Sequence, residues 1–428
     1  MLDAVGRLVE KSMVGTVTAP DGNVRYRLLE TLRQFGADRL AEGPSGAGVQ
    51  DRYAEYWRDR GVALGRTTGG PDQAAVLAAV DADVDNYRAA FAHLLSVGQV
   101  NEAARGIIAL DVYWQIRRTR EGLPWYQQLI AHSDLDPRWR PRALAQAAQT
   151  EANIGDFFAA ERDATEAVEL TDALGIAAPL PALQALMLIA SCREDHEADR
   201  AWYERAHEVA VVSGQPYLRL LIEAQRRPIP GVEDIAETVE HCERLLPDIE
   251  EQGSPLLASL AALQFAVCLY DDGQIERASA VLISALESAR RSGPIMIAAI
   301  LGSTAAFNIL TGKLDHARAP AAEALRLARD EGLTMAALDC IVVVAALAAR
   351  QGEIDTAATL LAGGSRYGDA LGSRGFYAPC RAEATSTVEA HTGDLGAARG
   401  LGTRMTFEDL ANLALATLGD PLTSRAGE

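Results

Sequence analysis

Along most of this chain, apolar residues recur three or four apart, with polar residues between them, which is the spacing of amphipathic helices. The start is different. Leu2, Val5, Leu8 and Val9 predict a helix over 2–11. Residues 13–18 and 24–29 read as two strands around the turn Pro20-Asp21-Gly22-Asn23, where Pro presets φ and Asp-Gly favours a hairpin. Residues 30–40 return to helical spacing, and 41–49 (AEGPSGAGV) have the composition of a linker.

Further on, one phrase recurs: Gly, a polar residue, an apolar residue, two variable residues, Ala. It reads GDFFAA from Gly155, GQIERA from Gly273, GKLDHA from Gly312, GEIDTA from Gly352 and GDLGAA from Gly393. The last three intervals are 39, 40 and 41 residues, and the first gap of 118 holds three such periods. Two degenerate copies are expected there, at His196 (HEADRA) and Gly231 (GVEDIA), with Ala201 and Ala236 at the Ala position. Small residues flank each phrase at fixed distance: Ala148, Ala266, Ala305, Ala345 and Ser386 before it, Ala167, Ala285, Ala324 and Gly364 after it. Small side chains let two helices approach closely. A second Gly ends each pair, at Gly175, Gly214, Gly253, Gly293 and Gly332, with Pro216, Pro255 and Pro294 just beyond. The unit is helix, turn, helix, turn, of about forty residues.

These positions resemble the tetratricopeptide repeat. The period is longer than the usual ~34 residues, and the aromatic often found four before the turn is replaced by Glu151, Leu269, Asn308 and Ala348. The resemblance implies an all-α, right-handed helical superhelix whose concave face takes peptides, protein segments or small effectors. Helix, hairpin, helix at the start resembles the end of a winged-helix domain, although only one helix precedes the wing where a complete domain has three. It reads either as a structural remnant or as a DNA contact through Arg25, Arg27 and Arg33.

Composition narrows the partners. Forty Lys plus Arg against 59 Asp plus Glu give a net charge of −19, which argues against broad nucleic-acid binding. Cys192, Cys242, Cys268, Cys340 and Cys380 are odd in number and lack a C-x-x-C pair, so they read as small buried hydrophobes in a reducing cytoplasm. Asp3, Arg7, Glu10 and Lys11 do not suit a signal peptide. The uncharged stretches 254–270 and 293–310 are short for a membrane span and fall at one phase of the repeat, so no membrane contact is expected.

No catalytic, cofactor or metal site is expected. Around Lys11, Glu10 stands where a P-loop needs its second Gly. Asp81-x-Asp83-x-Asp85 imitates a calcium loop but continues with Asn86 and Ala92 where Gly and Glu are needed. Asp271-Asp272, His196-Glu197 and His207-Glu208 lack their partner ligands. One cluster stands out in a chain with 6% aromatics: Tyr113, Trp114, Arg117, Arg118, Arg120, Trp125, Tyr126, Trp139 and Arg140. It either fills an irregular helical junction or forms an effector or partner surface with Tyr113, Trp114, Arg117, Arg120 and Trp125 as anchors.

Three passages carry a wider resemblance: LDAVGRLVEKSMV with VRYRLLETLRQFGADRL, then RYAEYWRDRG, then DADVDNYRAAFAHLLSVGQVNEAARGIIALDVYWQIRRTREGLPWYQQLI. Their order is similar to that in the large actinobacterial LuxR-type and antibiotic-regulatory-type transcription regulators, which are multidomain signal-transduction (STAND) NTPases. In that family a winged helix ends the NTPase module, and a connector with a D-N-x-R-A-A phrase follows, here Asp85, Asn86, Arg88, Ala89 and Ala90. A repeat-built sensor comes next, and ATLLAGGSRYGDALGSRGF looks like its end. The resemblance implies a partial winged helix over 1–45, a connector over 46–140, a repeat array over 141–415 and a flexible tail over 416–428. With no NTPase core before Met1 and no basic effector helices in 401–419, the chain reads as the sensor half alone. The expected function is a non-catalytic sensor or interaction module that binds a small-molecule effector or a protein segment. A free-standing adaptor is the alternative, and an all-helical enzyme the remote one.

Overall fold

The computed structural model describes residues 2–18, 24–43, 46–228, 233–367 and 375–419. The turn expected at 20–23, Gly231 and Val232, the stretch 368–374 and most of the expected tail (420–428) lie outside the described residues. Among the described residues are twenty-three α-helices and one two-stranded sheet, so the fold is all-α with a single β-hairpin.

The N-terminal segment comprises α1 (Leu2–Glu10), β1 (Val14–Thr18), β2 (Val24–Leu28) and α2 (Glu30–Glu42). The strands pair antiparallel, from Val14 opposite Leu28 to Thr18 opposite Val24. Val14 is buried, but Val17, Val24, Tyr26, Leu28, Leu29 and Phe35 are exposed. The linker expected over 41–49 is largely absent: α2 runs to Glu42 and the next helix starts at Gly46.

The connector is α3 (Gly46–Gly65), α4 (Gln73–Ala82), α5 (Val84–Ser96), α6 (Val100–Ala109), α7 (Asp111–Arg117) and α8 (Thr119–Ala131). Its D-N-x-R-A-A phrase is structural. Arg88 clamps Glu121 of α8 and Asp85, Asn86 accepts a hydrogen bond from Tyr53, and Ala90 is buried. The calcium-like acids hold arginines: Asp81 faces Arg117 and Arg118, Asp83 faces Arg25 and Arg60, and Asp85 faces Arg88. Arg25 is therefore engaged within the chain.

Helix pairs then follow in strict succession: α9 (Arg140–Ile154) with α10 (Phe157–Leu174), α11 (Leu180–Cys192) with α12 (His196–Val212), and α13 (Pro216–Glu223) with α14 (Ile235–Gln252). Next come α15 (Pro255–Asp271) with α16 (Ile275–Ser292), α17 (Pro294–Leu310) with α18 (Leu314–Glu331), and α19 (Thr334–Arg350) with α20 (Ile354–Ser365). Helices α21 (Tyr377–Glu389), α22 (Gly396–Gly402) and α23 (Phe407–Thr417) close the row. The turn chemistry is visible at Gly155. With φ +87 it places its own N–H on Ala152 O, while Asp156 N–H reaches Glu151 O, and the Asp156 carboxylate then caps the N–H of Ala159 at 3.1 Å. Pro216, Pro255 and Pro294 open the next helix, where a missing N–H costs nothing. Ala148, Ala160, Ala167, Ala266, Ala278 and Ala305 are all buried, as close helix approach requires.

The two degenerate copies are shifted by two residues from the expected phase. Glu194, with φ +58, occupies the left-handed position that Gly155 holds, and Asp195 caps α12 by accepting from Ala198. The copy therefore begins at Glu194, and Asp199, not Ala201, takes the Ala position. Asp199 is buried beside Arg227, whereas Ala201 is exposed. The next copy begins at Glu233, with Asp234 capping α14 and Thr238, not Ala236, buried at the Ala position. Counted so, successive turns from Gly155 stand 39, 39, 40, 39 and 40 residues apart. The last phrase also departs: Gly393 is not left-handed, and Gly402 of the short α22 approaches the backbone at Thr359 too closely to admit a Cβ.

The row curls around the connector. Helix α9 touches α19, and α7 touches α17. Gln73 donates to Thr68 O at 2.6 Å and accepts from Ser254 Oγ at 3.2 Å and Leu256 N–H at 2.8 Å. Gly293 passes so near Ile116 O that a Cβ there would lie 2.5 Å away. The core around Tyr87, Phe91 and Trp114 is completed by Leu256, Ala285, Ala289, Met296 and Ile300 from three distant helices.

Candidate ligand groove

The curl leaves a cavity of about 1040 Å³ between α7 and the first helices of successive pairs, α9, α11, α13, α15 and α17. These are inner helices because the Gly turns alternate inner and outer positions along the row. Its walls are apolar, with Leu188, Leu221, Leu256, Leu263 and Ile295 among them. Between these stand neutral amides: Gln115, Gln146, Gln149, Asn153, Gln184 and Gln264. Such a surface suits a ligand with a large apolar body and a few fixed polar contacts.

At the α7 end lies a hydrogen-bonded chain. Gln115 donates to Gln146 Oε1 at 2.6 Å, and Gln146 donates to Asp111 Oδ2 at 2.8 Å. The other carboxylate oxygen of Asp111 accepts from Val112 N–H at 2.6 Å. Burial outweighs both of these bonds and pushes the Asp111 carboxyl up to about 6. Two phenols sense this carboxylate. Burial raises Tyr126 far above its usual range, and its hydroxyl has no partner. Tyr217 is pushed up to about 12, by burial first and Asp111 second.

The cations of the groove sit elsewhere. Arg138 meets Asp136, whose carboxyl is held below its usual range by the Arg138 backbone N–H and guanidinium. Arg227 meets Asp199, and Arg142 lies 5.2 Å over the Trp139 ring.

None of the five residues singled out from the sequence lines this cavity. Tyr113 is fully buried and donates to Asp81 at 2.8 Å. Trp114 is buried edge-on to Tyr113, with its indole N–H on Ile107 O at 3.2 Å. Arg117 faces Asp81 and donates to Arg291 O at 3.3 Å. Arg120 packs against the backbone of Gly332, and Trp125 stands edge-on to Phe91. The groove instead receives Asp111, Val112, Gln115 and Ile116, a stripe at helical spacing on the other face of the same short helix. From the same aromatic-basic cluster, Trp139 does line it. The amides were missed because Gln at four-residue spacing reads as an ordinary polar face until the curl places it inside.

Among the described residues no group of three His, Cys, Asp or Glu could hold a metal ion, and no helix is long and apolar enough to cross a membrane. All five cysteines are free and buried.

No protein-family model matches the chain. Over 192 residues, 44% of its length, it is 33% identical to proteins named "Putative HTH-type transcriptional regulator" in Mycobacterium bovis and in two strains of Mycobacterium tuberculosis. The matched stretch spans about a fifth of those relatives, 20% of their length, so the chain is similar to one part of proteins named as transcription regulators.

Proposed function

We propose that this chain is the sensor module of a cytoplasmic transcription regulator of the LuxR-type, STAND-related kind. It acts without catalysis, through a tetratricopeptide-like array that binds a small effector or a partner segment on its concave face. The observation that carries this reading is the groove of about 1040 Å³ lined by one inner helix from each of five successive pairs. The similarity to relatives named as regulators supports the regulatory half of the reading. Left-handed glycines, capping Asp and buried Ala at a period near forty support the repeat class. The net charge of −19 fits a module that does not itself contact nucleic acid broadly.

A ligand that binds only the folded chain stabilises it by mass action. A thermal-shift screen of metabolites and short peptides should therefore find stabilisers. Gln184→Trp, which fills the groove at a side chain with open space before it, should abolish the shift while leaving the apo melting temperature nearly unchanged. Stabilisers that survive Gln184→Trp would place binding outside the groove and defeat the reading.

A further inference from the structure

We infer that the groove takes an organic cation: a molecule with an apolar body and a protonated amine seated against Asp111. The inference rests on the groove being the binding site and names the chemical class that it selects.

Asp111 is the first residue of α7, and it opens on the groove of about 1040 Å³. Among the described residues no Arg, Lys or His lies within ion-pair distance of it. Its only donors are neutral, the Val112 N–H and the Gln146 amide. A carboxylate offers about four acceptor positions, so two remain. Of the other charged groups in the cavity wall, Asp136 pairs with Arg138 and Arg227 with Asp199, while Arg142 lies over the Trp139 ring. A half-buried carboxylate with no counter-charge is unfavourable in the empty protein, because desolvation is not repaid by an opposite charge. A ligand ammonium supplies that charge, and an anionic ligand group would add repulsion in a poorly screened site.

The surroundings of Asp111 define the rest of the ligand. Helix α15 contributes Leu256, Leu260 and Leu263, and α17 contributes Ile295 and Met296. Gln115 holds the Gln146 amide so that its N–H points at Asp111. The titratable groups that face Asp111 are few. Helix α8 presents the Tyr126 phenol and α13 the Tyr217 phenol, both held neutral by burial. Helix α9 presents Gln146 and, one turn earlier, the Arg142 guanidinium that lies over the Trp139 ring, and the groove-facing residues of α15 and α17 are not titratable. On α4, Asp81 is taken by Tyr113, Arg117 and Arg118 on the far face of α7. Asp111 is therefore the anion of the seat, and a carboxyl raised to about 6 loses its charge on mild acidification.

The test uses the full chain and three probes that share one body: 4-phenylbutylamine, 4-phenylbutanol and 4-phenylbutanoate, measured by calorimetry and thermal shift. The amine should bind about tenfold or more tightly than either partner near neutral pH, the factor expected of one unscreened charge contact. Its affinity should fall about tenfold per pH unit below about 6, while that of the alcohol stays flat. Asp111→Asn should erase the amine preference, and Gln184→Trp should erase binding of every probe. Equal binding of the three probes, preference for the carboxylate, amine preference retained in Asp111→Asn, or no amine binding would each overturn the assignment. Where one of those outcomes occurs and the binding that is seen is lost in Gln184→Trp, the groove reading stands and only the cation falls. If no probe and no library compound depends on Gln184, both fall.

Discussion

The repeat array and the N-terminal hairpin segment solve the burial problem differently. In the array, each inner helix is covered on several sides and the small positions are sealed; Ala266, Ala305 and Ala317 have no exposed surface. In the hairpin, ten strand residues pair correctly, yet Val17, Val24 and Tyr26 remain more than half exposed. Both regions have the periodicity of their element. Only the array supplies, at a fixed interval along the chain, the neighbour that each apolar face needs. Periodicity specifies an element, and stability comes from what covers it.

That contrast can be broken most sharply by overpacking. Ala317→Leu puts a branched side chain into the buried α18 face and should cost about 3 kcal/mol or more, read as a lower denaturation midpoint at unchanged slope. Loss of the Asp156 cap in Asp156→Ala should cost about 1 kcal/mol in the same assay. The revised phase makes an opposite prediction. Glu194 pays for a left-handed backbone that Gly adopts freely, so Glu194→Gly should stabilise by about 0.5–1 kcal/mol, whereas a helix-interior Gly would destabilise. At the exposed hairpin, Val17→Thr and Tyr26→Ser should change stability by about 0.5 kcal/mol or less. A large loss there would mean that the hairpin belongs to the array's cooperative unit.

Acidity offers a further test of burial in the array and the connector. Burial, aided by the nearby Asp163 carboxylate, pushes Glu151 up to about 7, and burial pushes Asp111 up to about 6. Each group binds its proton more tightly when folded than when unfolded. Their contribution to stability is therefore full below the ordinary carboxylate range and is lost as pH rises toward 7. Glu151→Gln and Asp111→Asn should raise the melting temperature at about pH 7.5 and leave it nearly unchanged at about pH 4. Equal gains at both pH values would show that charge is not the cause.

Much of this architecture was legible in local sequence. The Gly turns, the flanking Ala positions and the two strands follow from chemistry within a few residues. The phase of the degenerate copies was harder, because Glu194 and Glu233 do not look like turn residues; the signal was the capping Asp195 and Asp234 one residue later. The groove was not legible. It depends on contacts such as Gln73 with Ser254, 181 residues apart, and no local pattern announces that α7 will turn Asp111 inward and Trp114 away.

The two arginine clamps at the end of α4 bear on how the groove and the hairpin are linked. Asp81 holds Arg117 and Arg118 of the groove-floor helix and its end, and two residues later Asp83 holds Arg25 of β2. Three residues of chain, Asp81 to Asp83, thus carry ion pairs both to the helix that faces the groove and to a sparsely covered strand of the hairpin.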